Sequence, residues 1–329
     1  NDEADAHRQI ERALERGVNF IDTAEMYPVP PRAESAGRTE RYIGSWLAAN
    51  PDRRDDIVLA TKIAGRSNGL DWLRGGGEKG GGEKPKVDRS NIRRAIEGSL
   101  QRLQTDYIDL YQIHWPDRNA PKFGGTRFNP DGEFDPVPIR DQLEALKELV
   151  DEGKIRYVGL SNESAYGVDR FIQLAEELDL PRVVSIQNAY SLVNRVFEHG
   201  LDESCFHHNV GLLPYSSLAF GHLTAKYLDG AQPDGARLTV FPEFGGRYAS
   251  PYLEPAVREY VAIAREAGLD PAQMALAFAR QQFFTSSVII GATTDEQLDS
   301  DLDSGDLTLT ADVLEAIDGV HARYSNPAP

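Results

Sequence analysis

The 329-residue chain has a single cysteine, Cys205, so no internal disulfide can form and nothing calls for an oxidising compartment; cytoplasm is the default expectation. No apolar run approaches the ~18 residues that a membrane span needs, and no charged segment followed by an apolar one stands at the start, so no membrane association is expected. Basic clusters are also missing. A formal net charge of -17 repels nucleic-acid phosphates and anionic lipid, which excludes both as natural partners. Lysine is scarce, eight residues against 27 arginines, which makes Lys62 and Lys226 conspicuous. No G-x-G-x-x-G follows a strand-like run, so a Rossmann dinucleotide site is not supported. His199, Cys205, His207 and His208 match no standard zinc spacing, and no metal is expected.

What is present is a regular alternation. Short β-branched apolar runs recur at 18–24, 57–64, 107–115, 157–162, 183–190, 210–217 and 287–292, which predicts seven strands. Between and beyond them apolar residues return at three- and four-residue spacing, as in Ile92, Ile96, Leu100 and Leu103, or Phe171, Ile172, Ala175 and Leu178, or Val257, Tyr260, Val261 and Ala264. Pro271 suits the first turn of one further helix, and Val313, Ile317 and Val320 mark the last. Evenly spread βα units without a linker predict an α/β fold of the (β/α)8 TIM-barrel type, one domain over residues 1–329. A closed barrel needs eight strands, and the sequence opens directly on a helix. The first strand is therefore expected to be missing from this chain, with native residues preceding Asn1.

Two loops are long for this architecture. Residues 65–89 contain GGGEKGGGEKPK, which lacks the GK[ST] ending of a phosphate loop and reads as a surface loop. Residues 116–138 carry Phe123, Phe128 and Phe134, candidates for a pocket wall as much as for plain surface packing.

The chemistry lies where the strands end. In a parallel barrel those ends converge on one rim, and here they deliver Asp22, Lys62 and His114, with Tyr27 just beyond the first. Each alone reads as an ordinary cap, loop, ion-pair or core residue. Together they make a proton donor. An ammonium beside a phenol stabilises the phenolate and lowers its pKa from ~10, so Tyr27 can protonate an alkoxide. Asp22 holds Lys62 charged, and His114 orients a carbonyl oxygen. A Schiff-base role for Lys62 needs a neutral amine, which Asp22 opposes. Later strand ends offer amide and hydroxyl groups, Ser161, Asn162 and Gln187, that suit a carboxamide, and a stacking ring, Tyr215. Ser216, Gly221 and Lys226 could wrap a pyrophosphate, and the turn at 291–298 presents a helix N-terminus to another anion. Polar strand ends beside ordinary loops are the competing reading of these later residues.

The segments FIDTAEMYPVPPR (20–32), LQTDYIDLYQIHWPDR (103–118), GKIRYVGLSNE (153–163), IQNAYSLVNR (186–195), LAFGHLTAKYLDGA (218–231) and IIGATTDEQL (289–298) resemble those of the aldo-keto reductases, in particular their Tas-type bacterial branch. The resemblance covers essentially the whole chain, and it implies that an N-terminal β-hairpin is missing along with the first barrel strand. It implies a (β/α)8 barrel using NADP(H), with Tyr27, Asp22, Lys62 and His114 matching the catalytic tetrad and a small carbonyl compound as substrate. It assigns Ser161, Asn162 and Gln187 to the nicotinamide carboxamide and Tyr215 to stacking. The remaining dinucleotide contacts fall to Ser216, Leu218, Gly221, Leu223, Lys226, Arg247, Gly291, Thr293, Gln297 and Asp301. Many members carry Glu-Asn where Ser300 and Asp301 stand here. No Lys or Arg lies between Gly291 and Asp301 to meet a 2′-phosphate, which leaves Lys226 and Arg247 for that task and NAD(H) as the alternative cofactor. Some relatives serve ion channels as regulatory subunits, so a cofactor-binding regulatory subunit is the alternative function.

Overall fold

Helix α1 (Glu3–Glu15) starts where it does because Asp2 and Asp5 form a reciprocal capping box, each carboxylate accepting from the other's backbone N–H. It opens a computed structural model that describes residues 2–75 and 81–329. Asn1 and residues 76–80 of the glycine-rich run, Lys79 among them, lie outside the described residues. Contacts divide the chain into two units, Asn1–Ala120 with Phe128–Ile186, and Pro121–Arg127 with Gln187–Pro329.

The first unit alternates strands and helices in chain order. Strand β1 (Phe20–Asp22) precedes α2 (Arg38–Ala49), and β2 (Val58–Ile63) precedes α3 (Arg89–Leu103). There follow β3 (Ile108–Ile113), α4 (Ile139–Asp151), β4 (Ile155–Ser161), α5 (Ala165–Leu178) and β5 (Val183–Gln187). These strands lie side by side in sequence order, and β1 to β4 pair in parallel, as a chain of βα units requires. The register sets Asp22 beside Ala60 and Lys62 beside Gln112. Every residue of β3 is buried and only Val58 of β2 is exposed, which is the pattern of strands covered on both faces.

Helices α3, α4 and α5 turn apolar stripes inward, Ile92, Ala95, Ile96 and Leu103 from α3, Leu143, Leu146 and Leu149 from α4, Val168, Phe171 and Ile172 from α5, but Leu178, expected in the α5 stripe, is exposed and no residue of α1 is fully buried. Asp88 and Ser164 cap α3 and α5. Helices α2 and α3 touch through Gly44, where a Cβ would come within 2.0 Å of the Arg102 carbonyl oxygen, so only glycine permits the contact.

The second unit holds α6 (Leu201–His208), β6 (Gly211–Leu212), α7 (Arg237–Val240), α8 (Leu253–Glu266), α9 (Pro271–Arg280), α10 (Asp295–Asp303) and α11 (Ala311–Arg323). Pro271 opens α9 behind an Asp270 cap, as expected. Here the strand expectation needs correction. The run 210–217 contributes two strand residues and the run 287–292 none, so six strands are assigned among the described residues rather than seven. The backbones still meet. Leu212 N donates to Phe284 O at 2.8 Å, Ser286 N to Leu212 O at 2.8 Å and Ile289 N to Pro214 O at 2.9 Å. Pro214 has no N–H to return, which interrupts the ladder at that point.

Of the two readings of the long loop, the structure shows surface packing: Phe123, Phe128 and Phe134 are all exposed, and Phe134 lies under the Arg66 guanidinium. Among the described residues no helix is long and apolar enough to cross a membrane.

Candidate functional site

Strand pairing in the first unit continues past the end of β1: Thr23 N donates to Ala60 O and Glu25 N to Lys62 O, at 2.9 and 3.2 Å. That extension brings Asp22 against Lys62. The ammonium, completely buried, donates to Asp22 Oδ2 at 2.5 Å and to Thr23 O at 2.8 Å. Burial works against the charge of Lys62, but the Asp22 carboxylate and the neighbouring Tyr27 outweigh it and hold its pKa above the ordinary value. Lys62 is therefore an ammonium at neutral pH and not the free amine of a Schiff-base enzyme.

Tyr27 enters from a turn closed by its own N–H on Ala24 O. Its ring centroid is 5.0 Å from Lys62 Nζ, and its hydroxyl is 3.4 Å from His114 Nε2. The two rings meet edge to face, 5.5 Å apart. His114 is held by its N–H on Ile63 O, so the end of β2 positions it. Burial first, and the Lys62 charge second, hold its pKa well below the ordinary value, so the imidazole is neutral. Its Nδ1 is buried with no partner. A bare lone pair is cheaper to bury there than an N–H, which puts the ring proton on Nε2, facing Tyr27.

All four residues singled out from the strand ends thus come together. One partner escaped the sequence reading. Gln112 donates through Nε2 to Asp22 Oδ1 at 2.9 Å, so both oxygens of Asp22 are engaged from neighbouring strands. The available signal was a lone amide two residues before His114, on the same face of the strand. Around Tyr27 lies an apolar cluster of Ala24, Met26, Ala64, Leu70 and Trp115, against which Trp72 and Leu73 also pack. Ser161 and Asn162 are buried at the end of β4. Asn162, with φ of 53°, donates to His114 O at 2.8 Å and to Ser161 Oγ at 3.0 Å.

The second unit carries the other candidates. Gln187 is buried at the end of β5, and Tyr215, half-buried, is held by its N–H on Asn188 O at 3.1 Å. From Ser216 onward the chain coils tightly: Ala219 N bonds Ser216 O, and both Gly221 N and Leu223 N bond Leu218 O. Ser216, Ala219, Phe220, Gly221 and Ala225 all have positive φ. At Gly221 a Cβ would fall 2.2 Å from Lys226 Cε, so the lysine stem lies directly over the glycine.

Among the described residues no carboxylate comes within ion-pair distance of Lys226, Arg237 or Arg247; Lys226 rests over Tyr227 and Arg237 over Phe220. Three cations without ion-pair partners, in so acidic a chain, fit a phosphate-bearing ligand. Gly291 is exposed, and Thr293 bonds the Gln297 side chain through both N and Oγ1, so Gln297 folds back on the turn before α10. Asp301 is buried, and burial, with Asp270 nearby, pushes its pKa up to about 7 against the opposing pull of Lys226.

Residues 1–322 match the aldo/keto reductase family. The chain belongs to this family, whose members act on small carbonyl compounds with nicotinamide cofactors. It is 50% identical over its full length to Protein tas of Escherichia coli, covering 92% of that protein. An aldo-keto reductase of Babesia bovis is 37% identical over 82% of this chain and 98% of its own. A probable voltage-gated potassium channel subunit beta of Arabidopsis thaliana is 29% identical over 97% of this chain and 88% of its own.

Proposed function

We propose that this protein is an NADP(H)-dependent reductase that converts aldehydes or ketones to alcohols with Tyr27 as general acid, working in the cytoplasm as one barrel domain over residues 1–329. The observation that carries the reading is the linked quartet: Asp22 on Lys62, Lys62 beside the Tyr27 ring, and the Tyr27 hydroxyl facing His114 Nε2. The nicotinamide supplies a hydride to the carbonyl carbon when bound. Tyr27 gives its proton to the carbonyl oxygen as that oxygen gains charge, and the Lys62 ammonium stabilises the phenolate left behind. Asp22 keeps the ammonium charged and in place. Neutral His114 donates from Nε2 to the same oxygen and orients it. The Ala24, Met26, Ala64, Leu70 and Trp115 cluster keeps water from that side of the phenol.

For the cofactor, Ser161 and Asn162 in the first unit supply hydroxyl and amide groups to the carboxamide. In the second unit Gln187 offers the same amide chemistry and Tyr215 the stacking ring. Ser216, Leu218, Gly221 and Leu223 line the pyrophosphate with backbone, and Gly291, Thr293, Gln297 and Asp301 take the adenosine end. Lys226 and Arg247, which form no ion pair among the described residues, favour a 2′-phosphate and hence NADP(H) over NAD(H).

Titration with NADPH and NADH by cofactor fluorescence, with turnover of 4-nitrobenzaldehyde or methylglyoxal by the parent and by Tyr27→Phe, tests the reading. The expected result is tighter NADPH binding, retained by Tyr27→Phe, with turnover down at least ~100-fold. Binding of neither cofactor, or undiminished turnover by Tyr27→Phe, would overturn it. The similarity to a channel beta subunit supports a second reading, a cofactor-binding regulatory subunit, for which tight NADPH binding with very slow turnover is the signature.

A further inference from the structure

We propose that Glu25 and Arg74 are positioning residues that set Tyr27 against Lys62 and His114, an inference that rests on the reductase reading. Glu25 is only 4% exposed, and both of its oxygens are taken. Oε1 accepts from Ala64 N and from Arg74 Nη2, and Oε2 from Arg74 Nη1, all at 2.8 Å. Arg74 spends its remaining Nε on Asn91 Oδ1 at 2.7 Å, and Asn91 in turn bonds the Asp88 carboxylate that caps α3.

The placement of these bonds is what gives the pair a role. Glu25 lies two residues before Tyr27. Its backbone N–H bonds the Lys62 carbonyl, and its carboxylate bonds the N–H of Ala64, so it grips the strand on both sides of Ile63, directly after Lys62. Arg74 closes the short turn Asp71–Arg74, whose Trp72 and Leu73 pack against the same apolar cluster as Tyr27. A fork of two parallel bonds fixes both the distance and the angle between the loop that carries Tyr27 and the turn that covers the cluster. A buried ion pair of this kind contributes little stability over an apolar pair of similar volume. Its use is geometric: the phenol must hold its place beside the ammonium to a fraction of an ångström, and a displacement of about 1 Å can cost on the order of 100-fold in rate.

The experiment compares the full chain with Glu25→Gln/Arg74→Met, which removes both charges and keeps the volume, with Arg74→Lys, and with each of these combined with Tyr27→Phe. Thermal melting, NADPH titration and single-turnover reduction of 4-nitrobenzaldehyde are measured on all of them. The double variant is expected to melt near the parent and to bind NADPH within twofold of it. Its rate falls at least tenfold, and no further loss follows on the Tyr27→Phe background, because a residue acting through Tyr27 has nothing left to act on. Arg74→Lys, with the charge but not the fork, falls between, and it gives the same comparison if the double variant does not fold. A parent-like rate in the charge-free variant, or a rate loss that recurs in full beside Tyr27→Phe, overturns the inference alone. A parent that binds NADPH but reduces nothing overturns the reductase reading instead, and this inference with it.

Discussion

Gln112 and Lys62 hold one carboxylate between them: Asp22 takes the amide on Oδ1 and the ammonium on Oδ2, from residues in register on neighbouring strands. The amide fixes the rotation of the carboxylate that the ion pair alone would leave free. Gln112→Leu is therefore expected to cost about 1 to 2 kcal/mol of stability and to lower turnover several-fold without changing NADPH affinity. Urea denaturation beside steady-state kinetics checks this; a variant as active and as stable as the parent would show that the amide does not matter.

Lys62→Met leaves Asp22 buried without its cation. Breaking a buried pair in this way costs about 3 kcal/mol or more. Asp22→Asn/Lys62→Met, which removes both charges, is expected to recover most of that stability and none of the turnover. Denaturation midpoints and rates measured on the same samples separate the two roles of the pair.

A second buried carboxylate, Asp109, accepts from Leu59 N and pairs with Arg54 and Arg156, whose guanidiniums sandwich the Tyr107 ring at 3.8 and 4.1 Å. Asp109→Ala removes the acceptor for all three groups. The expected loss is about 3 kcal/mol, with the rate per folded molecule unchanged.

Asp301 makes stability depend on pH in the opposite sense to most carboxylates. Its folded pKa, about 7, lies above the ordinary 3.8, so the folded state binds the proton more tightly. Stability from this group is greatest below about pH 4, falls as pH rises towards 7 and is level above. Asp301→Asn should therefore be more stable than the parent at pH 8 by roughly 2 to 4 kcal/mol, with the difference closing towards pH 4. Urea titrations at pH 4.5, 6 and 8 measure it; a constant difference across that range would contradict the assignment.

The strand-end residues were legible from sequence only as a set, because each alone reads as a cap, ion-pair or core residue, whereas a carboxylate, an amine and an imidazole closing neighbouring apolar runs make chemistry together. Asp22, Lys62 and His114 declared themselves in that way, and Tyr27 by standing next to them. Gln112 did not, since one amide inside a strand reads equally well as a satisfied core group. Glu25 and Arg74 were invisible for another reason: 49 positions separate them, and no periodicity links a strand extension to a turn in a long loop. The weak strand runs near 210 and 287 show the limit of hydrophobic pattern. Strand assignment needs an unbroken ladder, which Pro214 breaks, and no residue of the 287–292 run is fully buried. The phenylalanines of the 116–138 loop left two readings open for a related reason, since composition says nothing about which way a long loop turns its side chains.

The complete burial of Lys62 separates the two halves of the chemistry by their response to salt. Lys62 lies fully buried against Asp22, and the neighbouring His114 is buried and neutral, so counter-ions have little access to this ion pair. Lys226 and Arg247, by contrast, are only half-buried. Added salt should weaken the grip on a phosphate-bearing cofactor, because mobile ions reach those side chains, and leave the rate of the bound complex nearly untouched.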